Sequence, residues 1–247
     1  MARMTQTHIE SAEAGYRIAL GLHNERLAAG WRPAGRKIGF TNRSIWSRYG
    51  VYQPIFGFVY DRTVTYAPDC TATLKLAGLA QPRIEPEICF GLKAAPPRSK
   101  DPADLLRAIE WVAHSIEIVQ CTLPGWQMKV GDSTAANGLH GALIVGRKIP
   151  AGEFKYLATK LPGLKVTLNK GAEVIDRGMG SNVLDSPLLA LAHLVDLLAA
   201  QSDFPPLCAG EIISTGTMTD AAPVAPGETW STQFAGDELP GMTVHFE

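Results

Sequence analysis

The sequence predicts an α+β fold: a mixed, strongly bent, β-roll-like sheet entered through a helical N-terminal segment. Three observations point there. Strand-like apolar stretches outnumber helical ones; helical periodicity is confined to the N-terminus and two crossovers; Gly- and Pro-rich turns separate the strands near the C-terminus. With 247 residues the chain is long enough to bury a sizeable core, and no internal repeat or low-complexity segment divides it. It therefore reads as a single domain over 1–247, with a helical segment at 1–34 and a β-rich core at 35–247.

From about Thr7 to Ala29, Ala12, Tyr16, Ala19, Leu20, His23 and Leu27 recur at helical spacing, and Gly30 ends the run. GRKIGFTN (35–42) reads as a strand leading into a loop, 44–49 as a short helix, and GVYQPIFGFVY (50–60) as turn-rich and aromatic. A strand at 63–66 precedes the apolar run that ends in RIEPEICF (83–90). AAPPRSKDPADLL is a polar connection, and 104–112 is expected to be a short helix. Strands are expected at 114–119 and 142–145, joined by a loop of small residues. A hairpin pairs 164–168 with 172–175 across Asn169-Lys170-Gly171. Leu188, Leu191, Leu194, Val195 and Leu198 form an amphipathic helix from 187 to 200, with Pro187 in its first turn and Ser186 as N-cap. Strands at 211–217, 229–234 and 242–246 finish the chain.

Composition excludes several functions. Charged residues make up 19% and the formal net charge is −1, so no basic field exists to hold nucleic acid or an anionic membrane surface. No apolar run approaches the roughly 20 residues of a membrane span, and the N-terminus lacks the apolar centre of a signal peptide. Cys70, Cys89, Cys121 and Cys208 are scattered singly, with no C-x-x-C pair, as expected of reduced thiols in a cytoplasmic protein.

The chemistry gathers at RIEPEICF. Side chains alternate along a strand, so Glu85 and Glu87 share one face while Ile84, Pro86 and Ile88 share the other. Two carboxylates on one face repel unless a positive group lies between them. A hard divalent cation such as Mg²⁺, bound through oxygen, would serve. An isolated E-x-E is also what a solvated strand face looks like.

Four motifs in order decide between these readings: GRKIGFT at 35–41, RIEPEI at 83–88, SIEIV at 115–119 and AGEIISTGT at 209–217. The chain resembles the 2-oxopent-4-enoate hydratase and 4-oxalocrotonate decarboxylase family, within the fumarylacetoacetate hydrolase superfamily. The resemblance runs from about Gly35 to the C-terminus. It implies a rolled mixed sheet with a divalent metal, Mg²⁺ or Mn²⁺, held by Glu85, Glu87 and Glu117. It also implies that Lys37 is a cation near the substrate, with Lys129 as a second active-site lysine. Thr215, Gly216 and Thr217 would bind a substrate carboxylate, with Tyr52 and Gln53 beside the substrate and Asp132 and Asn137 orienting water. Physics agrees on the metal, because three inward carboxylates on apolar strands are ruinous to bury without a counter-charge.

The implied substrate is a small unsaturated 2-oxo acid, or 2-hydroxydienoate, of aromatic catabolism. The implied reaction is water addition by a metal-dependent lyase, in a cytoplasmic homo-oligomer or a complex with a paralogous enzyme of the same pathway. Two alternatives stand beside it: decarboxylation of 2-oxo-3-hexenedioate, and a non-catalytic partner subunit. Hydratases of the family read G-V-D-Q-P-x-F-G, often with a further acid, where this chain has Tyr52 and Ile55. Loss of those acids bears on proton handling. Hydrolysis is the weaker reading, since the six histidines offer no evident water-activating His–Glu pair, with His23 alone placed for one.

Overall fold

The computed structural model describes residues 8–154, 156–236 and 239–247. Helix α1 spans Ala12–Ala28, and the start expected at Thr7 lies outside the described residues. The Ser11 side chain accepts from the Ala14 N–H as N-cap, and Gly30, at φ 77°, follows the helix. Tyr16, Ala19 and His23 are the buried side of α1, and the Tyr16 ring stacks on Phe56 at 4.5 Å.

The strands are β1 (Pro33–Gly39), β2 (Ile55–Tyr60), β3 (Val64–Tyr66), β4 (Thr71–Leu74), β5 (Arg83–Leu92), β6 (Ile109–Val119) and β7 (His140–Val145). They continue as β8 (Ile149–Pro150), β9 (Lys165–Lys170), β10 (Glu173–Met179), β11 (Ile212–Thr217), β12 (Ala222–Pro223), β13 (Thr229–Phe234) and β14 (Thr243–Phe246). Helices α2 (Trp46–Tyr49), α3 (Pro102–Leu106), α4 (Val130–Ala135) and α5 (Leu157–Lys160) are short, and α6 runs Pro187–Ala199.

Two expectations need correction. Residues 55–60 are a fully buried strand, not part of a turn-rich stretch. Gly57 is there for close approach: a Cβ would stand 2.2 Å from the Asn137 carbonyl oxygen. The helix expected over 104–112 stops at Leu106, and Ile109 already belongs to β6. Pairing of Leu92 with Ile109 and Phe90 with Val112 turns that short apolar run into strand.

A nine-stranded mixed sheet has the order β2-β1-β11-β5-β6-β7-β3, with β12 also on β5 and β8 on β6. A five-stranded sheet, β10-β9-β13-β14-β4, packs against part of it. Ile84, Ile116 and Ile144 of the larger sheet meet Trp230, Val244 and Phe246 of the smaller one. Elsewhere α6 lies over β11, β1 and β2 and joins a core with Ile38, Phe58, Ile88 and Phe90. The 20-residue segment Gly180–Ala199 is apolar and long enough to cross a bilayer, yet 56% of it is buried in this core.

The larger sheet is strongly curled. Lys37 on β1 and Glu117 on β6 are three strands apart, about 14 Å in a flat sheet at ~4.8 Å per strand. Their side chains nevertheless touch at 3.0 Å. The concave face therefore brings polar groups from β1, β5, β6 and β11 to one place.

Candidate metal centre

Glu85 and Glu87 do share one face of β5, and antiparallel register sets Glu117 of β6 directly opposite Glu85. Each of the three offers a carboxylate oxygen, and these oxygens lie within 4.8 Å of one another, one coordination sphere apart. Glu87 and Glu117 are fully buried and Glu85 partly so.

Each carboxylate is fixed differently. Glu87 Oε2 accepts from the Ser214 hydroxyl and, at 2.9 Å, from the Gly216 N–H. A register shift between Ser214 and Thr217 in β11 delivers that N–H, and Gly216 takes φ 100° to make it. Glu117 Oε1 lies 2.7 Å from His140 Nδ1, and His140 Nε2 lies 2.8 Å from Thr63 Oγ1. The Lys37 ammonium stands 3.0 Å from Glu117 Oε2 and donates to the Gly138 carbonyl at 3.1 Å. Glu87 Oε1 is buried without a hydrogen-bond partner among the described residues, and Glu117 Oε2 has the Lys37 ammonium beside it.

Burial dominates the electrostatics. It pushes the Glu85 carboxyl up to about 7 against the pull of Lys37. It drives Glu87 well above the ordinary carboxylate range, helped by the charges of Glu117 and Glu85. For Glu117 burial is outweighed by Lys37 and His140, leaving it below its ordinary value. Burial would lower Lys37, but Glu117, Glu85 and Glu87 together raise it. Lys37 is thus a fixed cation rather than a base. A buried Glu87 oxygen without a partner among the described residues, on an all-carboxylate donor set, is what a hard divalent ion satisfies. The residues fit such an ion.

Lys37, Glu85 and Glu87 open on a cavity whose walls include Phe40, Tyr49, Ile55, Trp126, Met128 and Leu139. Gly216 and Thr217 also line it, whereas the Thr215 hydroxyl is spent on the Ile88 carbonyl at 2.8 Å.

Lys129, Tyr52 and Gln53 are not brought to this cavity. The Lys129 ammonium lies half-exposed against Glu10 at 2.6 Å, and Tyr52 and Gln53 are exposed. Tyr49, one turn earlier, takes the place on the wall. Asp132 caps α4 through the Lys129 N–H and also binds the Ile9 N–H and His8. Asn137 spends its amide on both backbone groups of Phe58. His23 stacks on Phe58 at 3.7 Å and bonds the Tyr60 hydroxyl at 2.9 Å, away from the carboxylates.

Sequence reasoning missed His140, Ser214 and Thr41. His140 was discoverable only through the pairing of β6 with β7, where it faces Val119. Thr41 lines the cavity with its buried hydroxyl unbonded among the described residues.

Comparison with known proteins completes the description. No protein-family model matches the sequence. The chain is 34% identical over 240 residues to 2-hydroxyhexa-2,4-dienoate hydratase of Comamonas testosteroni, covering 96% of this chain and 88% of that one. It is 31% identical over 211 residues to 2-keto-4-pentenoate hydratase 2 of Dechloromonas aromatica, covering 85% and 77%. The chain belongs to the 2-keto-4-pentenoate hydratase family. It is an enzyme of the lyase type. The fold of this hydratase-family chain agrees with 4-oxalocrotonate decarboxylase from Pseudomonas putida G7, solved with magnesium and adipate. The TM-score is 0.85 at 28% identity, over 96% of this chain and 86% of that one. Fumarylpyruvate hydrolase from Pseudomonas aeruginosa shares the fold alone, at TM-score 0.66 and 17% identity over 85% and 88%.

Proposed function

We propose that the protein is a divalent-metal-dependent hydratase, adding water to a 2-hydroxy-2,4-dienoate or its 2-oxo-4-enoate tautomer. The observation that carries this reading is the convergence of Glu85, Glu87 and Glu117 beside the Lys37 ammonium, at the floor of a cavity with largely apolar walls. The hydratase names of the relatives supply the reaction class.

Glu85, Glu87 and Glu117 would hold Mg²⁺ or Mn²⁺, which supplies Lewis acidity toward a 2-oxo acid. Ser214, the Gly216 N–H and His140 keep the carboxylates oriented without using every lone pair. Lys37, buried and held protonated, stabilises the negative charge that grows on the substrate's C2 oxygen. The Gly138 carbonyl aims that ammonium. The apolar wall formed by Phe40, Ile55 and Leu139 keeps bulk water from the dienolate.

Overall, the dienol O–H proton is lost, C5 gains a proton, and C4 of the resulting enone becomes electrophilic. The oxygen of water bonds to C4 and a proton adds at C3, so one water is consumed and nothing leaves. Decarboxylation of 2-oxo-3-hexenedioate is the second reading. It is favoured by the likeness to the decarboxylase and by Ile55, an apolar side chain on the cavity wall where hydratases of the family often carry an acid.

The deciding experiment offers purified protein 2-hydroxypenta-2,4-dienoate and 2-oxo-3-hexenedioate, each with Mg²⁺. Hydration products from either acid, without CO₂, are expected. Release of CO₂ from the diacid with no water added to the monoacid would overturn the reading.

A further inference from the structure

Asn137, Gly138 and Leu139 form the turn between α4 and β7, and all three take left-handed backbone angles, φ 56°, 65° and 65°. Gly and Asn visit that region readily, but Leu does so only where its surroundings enforce it. The enforcement comes from Asn137. Its side chain is buried; Oδ1 accepts from the Phe58 N–H and Nδ2 donates to the Phe58 carbonyl, both at 2.8 Å. Phe58 lies on β2, which ends the larger sheet among the described residues, so its outward backbone groups meet no further strand. One carboxamide takes the place of that strand and ties the turn to the sheet edge. Gly57, the register partner of Lys37, lets the turn come in that close.

The turn carries the surroundings of Lys37. The Gly138 carbonyl accepts from its ammonium at 3.1 Å, Leu139 walls the cavity, and the next residue, His140, sets Nδ1 2.7 Å from Glu117 Oε1. A Cβ on Gly138 would stand 3.2 Å from Lys37 Cδ, so the turn also packs on the lysine stem. An ammonium on a flexible four-carbon stem that met Glu117 alone would follow that charge wherever it could reach it. A second acceptor, fixed in the backbone, sets its direction.

We propose that Asn137 is the positioning residue of Lys37: by pinning a strained turn to the edge of β2, it holds the Gly138 carbonyl where it aims the ammonium at the substrate's C2 oxygen. Asn137 is not among the residues that line the cavity, and it acts only through the turn. The proposal rests on the hydratase reading above, in which Lys37 stabilises charge on that oxygen. Because the charge grows in the transition state, loosening the turn lowers kcat and leaves ground-state and metal binding in place.

Steady-state turnover of 2-hydroxypenta-2,4-dienoate and calorimetry of Mg²⁺ binding, both on the full chain, test this. Asn137→Gly keeps the backbone freedom and removes both bonds to Phe58. It should lower kcat about 10-fold or more, the scale of a misplaced reacting group, with KM and the Mg²⁺ Kd within about twofold of wild type. Added to Lys37→Met it should lower kcat no more than about twofold further, since residues that act through one another are not additive. Asn137→Ser, whose hydroxyl is too short to reach both Phe58 groups, repeats the comparison should the glycine variant not fold. Tyr16→Phe is the control: it removes a different bond to the same edge strand, from the Phe56 N–H at 3.0 Å, and should leave kcat unchanged. An undiminished kcat in Asn137→Gly, a loss that multiplies with that of Lys37→Met, or an equal loss in Tyr16→Phe would overturn the positioning role while the metal reading stands. Wild-type turnover indifferent to Mg²⁺, or undiminished in Lys37→Met, would overturn the hydratase reading and this inference with it.

Discussion

Glu87 is a fully buried carboxyl with one oxygen bonded and, among the described residues, the other bare. Glu87→Gln keeps an oxygen for the Ser214 hydroxyl and the Gly216 N–H, so the variant should fold while metal-dependent turnover is lost. Circular dichroism beside the turnover assay separates the two effects. Lys37→Met removes the ammonium in contact with Glu117 and should lower kcat by ~10²-fold or more, the usual scale for one lost electrostatic stabiliser. Unchanged kcat would refute its role. At this scale the E-x-E spacing was legible because strand alternation alone puts Glu85 and Glu87 together. Glu117 was not legible by spacing, since its place opposite Glu85 depends on strand register, and the family resemblance supplied it. Lys129 shows why a nearby motif does not fix a side chain's place: its ammonium lies against Glu10.

The element that matters most is β11, whose bulge supplies the Gly216 N–H to Glu87. A Cβ at Gly216 would fall 1.9 Å from Thr41 Oγ1, and φ 100° is strained for any other residue. Gly216→Ala should therefore cost about 1–3 kcal/mol in denaturant unfolding and weaken metal binding at the same time. Ser186→Ala, which removes the N-cap of α6, should cost ~1 kcal/mol without altering metal affinity, because α6 packs on the far side of the sheet. A metal affinity untouched in Gly216→Ala would uncouple the bulge from the site. The helix α6 was the readable element: Ser186 caps it where expected. The strands at 55–60 and 109–112 were misread because Gly57 serves close packing rather than a turn, and because a four-residue apolar run acquires its conformation from its neighbours.

For the whole molecule, curling of the sheet concentrates three carboxylates that the chain tolerates only by protonation or by a cation. Glu85 lies at about 7 and Glu87 above its ordinary range, so in the metal-free fold both retain protons that the unfolded chain, with carboxyls near 4.5, has released. The folded chain then binds more protons, and these two groups make the metal-free fold less stable as pH rises through that interval. A divalent ion must displace those protons, so its affinity rises with pH. The melting-temperature gain from a fixed Mg²⁺ concentration should grow between pH 6 and pH 8; a gain independent of pH would contradict the coupling. Glu117, shifted downward, and Lys37, shifted upward, titrate outside that range and leave the sign unchanged.

The most direct test of metal-dependent hydration is loss of the conjugated ultraviolet absorbance of 2-hydroxypenta-2,4-dienoate, followed in wild-type protein before and after chelation and again after Mg²⁺ is restored. Turnover to a 4-hydroxy-2-oxo acid that chelator abolishes and Mg²⁺ restores, and that Glu117→Gln lacks throughout, is the predicted result. Turnover indifferent to chelator, or retained by Glu117→Gln, would contradict it.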